Sequence, residues 1–331
     1  MRGLVHTADA HWRYNAATPH ARIDYVMSSG NVVARTAAVV TTDASDHLPV
    51  VADLALPGRK LSRKPSDPGT VLRTVRALTF NIRHGAGLDG VHDLERVARL
   101  IEGAGPDVVA LQEVDRNLSP RSGYVDQAGW LAARLDMHHA YGPVVDLGPA
   151  ALPLAPTAAR AGGPDGARRQ YGIALLSRAP LYGPRNVLLT RPRGGEQRGL
   201  LGAAVDVDGA AVRVFCTHLQ HRSRTERLAQ ATQIAESLSE GTGPVVLMGD
   251  LNARPGDPEI APLTGVLDDA WVVAGDGAGF TFNAASPHAR IDYILTSADL
   301  VARRAAVLPT EASDHLALVA DLELDAVAAG G

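Results

Sequence analysis

The sequence predicts an α/β fold built from two packed sheets flanked by helices. Short apolar runs recur along most of the chain, some are joined by hairpin turns, and only a few segments keep helical spacing over several turns. A doubly wound parallel sheet needs strand and helix in alternation, whereas here strands follow strands.

The elements follow in chain order. VLRTVRALTFNI (71–82) alternates and then turns apolar, as a strand entering a core does. HDLERVARLIEGAGP sets Leu94, Val97, Ala98, Leu100 and Ile101 at helical spacing, with Asp93 as N-cap and Gly103, Gly105 and Pro106 as the stop. DVVALQEV (107–114) is a buried strand, and DQAGWLAARLDM (126–137) a second amphipathic helix. Residues 143–169 hold so much Pro, Ala and Gly that a long loop is expected there. The strand YGIALLS comes next, then a hairpin around Asp208-Gly209, the helix TERLAQATQIAESL and the strand PVVLMGD. RIDYILTS and HLALVADLEL supply two closing strands.

Composition narrows the function. A chain of 331 residues with 46% hydrophobic content has room for a sizeable core, and a net charge of −4 does not favour binding a long polyanion on a basic face. Of the 32 Lys and Arg only Lys60 and Lys64 are lysines, a skew that looks like GC-rich coding. The single cysteine, Cys216, excludes an internal disulfide and a cysteine zinc cluster, and in VRVFC it reads as a small buried strand residue. There is no apolar leader and no run of about 18 apolar residues, so no transmembrane segment is read and a cytoplasmic protein is expected.

Polar and acidic residues recur where apolar strands end or begin: Asn81 after LTF, Glu113 after VVALQ, His218 after VFCT, Asp250 and Asn252 after VVLMG, and Asp314 and His315 before HLALVADL. Any one alone is an ordinary turn former. As a set they describe chemistry. Glu113, Asp250, Asp314 and Asn252 are hard oxygen donors suited to Mg²⁺ or Mn²⁺ rather than zinc. Asn81 and Asn252 can hold phosphate oxygens, His315 can take a proton from water with Asp292 fixing its tautomer, and His218 can face developing negative charge. Metal, activated water and oxyanion donors together describe metal-assisted phosphoester hydrolysis.

With TFN (79–81), LQEVD (111–115), YG (171–172), THL (217–219), GDLNARP (249–255), RIDYIL (290–295) and SDH (313–315) in this order, the chain resembles the endonuclease/exonuclease/phosphatase superfamily over residues 71–325. The resemblance implies a four-layer α/β/β/α sandwich of the deoxyribonuclease I type, in the branch of bacterial metal-dependent hydrolases. It also implies roles: Glu113 as principal metal ligand with Asn81 and Asp314 near the cation, Asp250 and Asn252 orienting nucleophile and phosphate, His315 with Asp292 as general acid/base, His218 as second histidine, and Tyr171 touching the phosphate. The expected cofactor is Mg²⁺, with Mn²⁺ as a substitute.

The segment before RIDY, GFTFNAASPHA, has little positive charge and one aromatic pair, Phe280 and Phe282, which departs from repair nucleases of this family. The first reading is therefore a phosphodiesterase acting on small-molecule or lipid-headgroup esters. A DNA nuclease is the alternative, so nucleic acid is not the favoured partner. A non-catalytic binding protein that kept the fold is the third, against which the completeness of the residue set argues. Arg290 and Arg22 read as buried ion-pair partners, Arg168 and Arg169 as solvated loop charges, and Arg83 and His84 as neighbours of the site.

The chain also copies itself. Residues 15–54 align without a gap on 283–322 at an offset of 268, with about two-thirds of positions identical, and Asp24, Asp46 and His47 fall on Asp292, Asp314 and His315. The copy lacks partners for Asn81, Glu113 and Asp250, so it is no second active site. The organisation read is a partial duplicate (1–55), a linker (56–70) rich in Pro, Gly, Ser and charge, a catalytic domain (71–325) and a tail (326–331). The duplicate is read as a remnant that docks or stays partly disordered. The alternatives are packing on another chain and competition with 283–322, as in a dimer formed by swapping.

Overall fold

The computed structural model describes residues 33–39, 50–55, 73–149, 166–191 and 195–324. Expectations for Arg22, Asp24, Asp46, His47, the linker and the tail lie outside them. The chain divides into two compact units, Met1–Thr70 and Val71–Gly331. In the first, β1 (Val33–Val39) and β2 (Val50–Ala55) form an antiparallel pair.

The second unit begins with β3 (Arg73–Asn81), α1 (Leu94–Ala104) and β4 (Val108–Arg116). Asp93 caps α1 by accepting the Glu95 N–H, and Gly105, in the left-handed region, ends it. The helix buries Leu94, Val97, Ala98 and Ile101 and carries the chain over so that β3 and β4 run parallel. Next come α2 (Gln127–Leu135), β5 (His138–Pro149), β6 (Arg168–Ser177), β7 (Tyr182–Leu188), β8 (Gly199–Val207) and β9 (Ala210–His218). Asp208 and Gly209, both at positive φ, make the tight β8–β9 turn. Ser223 caps α3 (Arg224–Ser239), which crosses to β10 (Val245–Asp250), parallel to β9. The chain ends with α4 (Ala261–Thr264), β11 (Asp268–Asp269), α5 (Ala270–Ala274), β12 (Asp292–Thr296), β13 (Leu300–Leu308) and β14 (Ala317–Leu324).

Two six-stranded sheets result, ordered β11-β12-β10-β9-β8-β7 and β13-β14-β3-β4-β6-β5. Strand alternation sorts their side chains into layers. Val75 and Ala77 of β3 meet Val246 and Met248 of β10 in the core between the sheets. Leu78 and Phe80 pack with Val97 and Ile101 of α1 on one outer face, while Val245 and Leu247 pack with Ala231 and Ile234 of α3 on the other. The fold is the four-layer α/β/β/α sandwich, and each fully buried Leu, Val or Ile contributes about 1.5–3 kcal/mol.

The structure corrects the two ends of the loop expected at 143–169, and residues 150–165 of that expectation lie outside the described ones. β5 continues to Pro149 and β6 starts at Arg168, paired through register shifts at Pro143/Val145 and Asp146/Pro149. β5 is an edge strand, where a proline costs no ladder hydrogen bond, so composition alone misled. β7 and β13 were not anticipated either. β7 is a largely exposed edge strand without an apolar face, and Arg303-Arg304 with a bulge interrupts the pattern of β13.

Candidate active site

The parallel pairs β3–β4 and β9–β10 bring four carboxyl ends to one end of the sandwich, where a cleft of about 730 Å³ opens. Asn81 at the end of β3 ties the two sheets together. Its amide nitrogen donates to Glu113 Oε1 and to Asp250 Oδ2, both at 3.1 Å, while its oxygen accepts the Arg83 N–H. Glu113 sits in the register shift between Leu111 and Val114 of β4, at a φ of 58°. A bulge re-aims a side chain, and here it turns Glu113 into the cleft. Gly249 precedes Asp250 because any Cβ there would collide with the Thr217 carbonyl of β9.

Asp250 is the hub of the buried half. Its Oδ1 accepts the Asn252 N–H at 2.8 Å, and its Oδ2 lies 3.4 Å from His218 Nε2 and 3.7 Å from His315 Nε2. His315 Nδ1 meets Asp292 Oδ2 at 2.9 Å. Ser313 fixes the turn that delivers His315, donating to the Asn81 carbonyl and accepting the His315 N–H. Thr281 Oγ1 accepts the Asp292 N–H, and the Phe282 ring lies 4.9 Å from the His315 ring.

The electrostatics follow from burial and neighbours. Burial, then the charge of Asp292, pushes the Asp250 carboxyl up to about 7. Burial would lower His315, but Asp292 and then Asp250 outweigh it and raise the ring to about 10, so it holds a proton. His218 is held well below its ordinary value by burial and by Arg198. The Arg198 guanidinium, only 3% exposed, donates to His218 Nδ1 at 3.0 Å and to His221 Nδ1 at 3.2 Å, and pairs with Glu196 at 2.9 Å. A guanidinium only donates, so the His218 proton sits on Nε2, facing Asp250. Burial and Glu113 keep the Tyr171 phenol protonated.

The open half holds Glu113 and Asp314. Burial, opposed by Asn81, and then the Asp314 charge raise the Glu113 carboxyl. The cationic partner of Asp314 is Arg83, whose Nε lies 3.8 Å away. Both carboxylates line the cleft, and hard oxygen donors of this kind suit a divalent cation. The ligand atoms of Asp250, Asp292 and His315, all within 4.8 Å of one another, form a second group that could hold a metal. That group already shares a proton through the Asp292–His315 hydrogen bond.

The structure brings together Asn81, Glu113, Tyr171, His218, Asp250, Asn252, Asp292, Asp314 and His315. Asn252 lines the cleft while its amide donates to the Leu219 carbonyl. Arg290 makes the expected buried ion pair, with Asp269 at 2.7 Å. Arg168 is an exposed partner of Asp146, but Arg169 lines the cleft rather than a solvated loop, because β6 begins there. His84 does not line the cleft; its carbonyl accepts from Gln127 at the foot of α2. Sequence reading missed Arg198, His221 and Glu196, and the signal was the polar cluster EQR immediately before the apolar strand GLLGAAV.

Residues 78–315 match the sequence profile of the Endonuclease/Exonuclease/phosphatase family. The chain belongs to this family. Members of this family act on phosphoester bonds. An endonuclease/exonuclease/phosphatase of Beutenbergia cavernae is 28% identical, with a TM-score of 0.60 over 76% of this chain and 72% of that one. A mannosyl-6-phosphatase of Bacteroides thetaiotaomicron is 18% identical, with a TM-score of 0.59 over 75% of this chain and 99% of that one; this likeness is of fold alone. Protein cwh43 of Schizosaccharomyces pombe is 30% identical over 150 residues, 44% of this chain, and the match spans 13% of that relative's length. No helix among the described residues is long and apolar enough to cross a membrane.

Proposed function

We propose that the chain is a Mg²⁺-dependent phosphodiesterase, with Mn²⁺ as a substitute cation, acting on small-molecule or lipid-headgroup phosphodiesters. One observation carries this reading. The cleft that holds Glu113, Asp250, Asp314 and His315 continues to Arg169, Arg198 and Tyr171 and to an apolar rim of Leu118, Val145 and Leu147. A bounded cleft of about 730 Å³ with one apolar rim suits a compact ester with an organic substituent. A duplex would need a broad basic track, which a net charge of −4 does not favour.

Glu113 and Asp314, with Asn81 behind Glu113, are the residues to hold the cation. The cation supplies Lewis-acid polarisation of a phosphoryl oxygen. The chain's own groups do the rest. Asp250, with a carboxyl near 7 and Asn252 fixing its Oδ1, accepts the proton of the attacking water. His315, protonated against Asp292, presents a cationic Nε2–H to the phosphate, and His218 presents a neutral one. This gives the base role to Asp250, whereas the sequence alone gave it to His315. The Tyr171 hydroxyl is a further donor to phosphate. Water attacks phosphorus from the Asp250 side as the opposite P–O ester bond breaks; the departing alkoxide takes a proton from solvent, and Asp250 returns to solvent the proton it accepted.

The test is a hydrolysis panel with Mg²⁺ or with chelator: bis(p-nitrophenyl) phosphate, p-nitrophenyl phosphate, sphingomyelin and an abasic-site duplex, with His315→Ala as blank. Mg²⁺-dependent cleavage of a diester with the duplex intact is expected. Preferential nicking of the duplex would make the nuclease reading correct, and silence on every substrate would revive the non-catalytic one.

A further inference from the structure

We infer that the hairpin β1–β2 competes with β13–β14 for the same place beside β3 of its own chain. The two hairpins share their register residue for residue. Val33↔Ala55 through Val39↔Val50 reproduce Val301↔Glu323 through Val307↔Leu318 at the offset of 268. Even the irregularity is copied: the shift between Ala34 and Thr36 corresponds to that between Ala302 and Arg304. A bulge is a specific local geometry, so its recurrence marks two hairpins of one shape rather than two apolar strands that happen to pair.

The edge that matters differs in occupancy. β14 offers its second edge to β3, antiparallel, from Leu318↔Thr79 to Leu324↔Arg73. Among the described residues β2 has no strand on that edge. The sequence of β2 suits β3 as β14 does. Leu318, Ala320 and Leu322 face the core between the sheets, and the copy places Val50, Ala52 and Leu54 at those positions. Asp321 grips Arg76 through Nε at 2.6 Å and Nη2 at 3.1 Å, and the copy has Asp53 there.

Topology favours the N-terminal copy in reaching β3. Seventeen residues, 56–72, separate β2 from β3, and adjacent antiparallel strands need only a hairpin connection. Asp53 lies 23 residues before Arg76, whereas Asp321 lies 245 residues after it. By the three-halves power of loop length, an open chain closes the shorter loop about 35-fold more often. The shorter pairing is also the first one synthesis makes available. Side chains favour the resident. β14 has Leu318 where the copy has Val50, and Glu323, which pairs with Arg303 at 2.8 Å, where the copy has Ala55. β2 is thus the faster occupant and β14 the better one, and the exchanged arrangement persists as a minor state.

Cysteines at the register pair on the more exposed face test this in the full chain. Arg76→Cys is combined with Asp53→Cys in one variant and with Asp321→Cys in another. The second variant controls for folding and for oxidation at that site. Peptide mapping after mild oxidation is expected to find both disulfides within single chains, with 53–76 forming roughly tenfold or more slowly because β14 holds the position. In the 53–76 disulfide form, hydrogen exchange should speed up across Leu300–Leu324 while β3 stays protected. Formation of 76–321 without 53–76 would overturn the proposal, as would a 53–76 disulfide joining two chains. So would a 53–76 form that leaves Leu300–Leu324 fully protected.

Discussion

The two halves of the cleft hold similar carboxylates in different surroundings. Asp250 and Asp292 are at most 1% exposed and lie against the His315 imidazole, with Asp292 Oδ1 lacking a hydrogen-bond partner among the described residues, whereas Glu113 and Asp314 are partly open and line the cleft. The buried pair shares protons with an imidazole, so its charge is managed internally. The open pair has one guanidinium 3.8 Å away and otherwise needs a cation from solution. In the proposed mechanism proton handling and cation handling are separate tasks, joined by the Asn81 amide that donates to both sides.

The largest effect is expected from Asp250→Asn, which removes the proton acceptor and should cost roughly 10²–10⁴-fold in kcat with cation affinity little changed. The same variant should melt at a higher temperature near neutral pH. Folding raises this carboxyl from 3.8 to about 7, so the folded state binds the proton more tightly, and Asp250 opposes folding increasingly as pH rises from about 4 to 7. Wild-type kcat/KM should accordingly rise with pH toward a midpoint at or below about 7, because a bound cation lowers the value further. If Asp250→Asn stayed active, the buried half would not be handling the water's proton.

Glu113→Gln should act on the other half, raising the cation concentration for half-maximal activity by roughly tenfold or more, with turnover recovered in excess cation. Arg198→Ala is a test of positioning. It should lower kcat roughly tenfold, and ¹⁵N spectra should show the His218 proton no longer confined to Nε2. Tyr171→Phe should have the smallest effect, about a few-fold in kcat, since other donors face the phosphate.

Much of this division was legible because each strand of the site ends in a residue a buried strand does not need. Asn81, Glu113, His218, Asp250 and Asn252 mark carboxyl ends or the bulge next to one, and the layers follow from alternation in β3 and β10. Arg198 stayed hidden because arginine is abundant here, and only the folded β8–β9 pair puts its guanidinium against His218. The pairing of His315 with Asp292, the main cause of its raised value, was read from the sequence, but the further contribution of Asp250 was not, since it arrives from another strand to face the imidazole. The extension of β5 was masked by prolines that an edge strand tolerates.

The most direct test of the division is calorimetric titration of Mn²⁺ or Mg²⁺ into the wild type, Glu113→Gln and Asp250→Asn. Near-wild-type binding by Asp250→Asn, with strongly weakened binding by Glu113→Gln, is the predicted result. The reverse pattern would place the cation on Asp250, Asp292 and His315 and contradict the account.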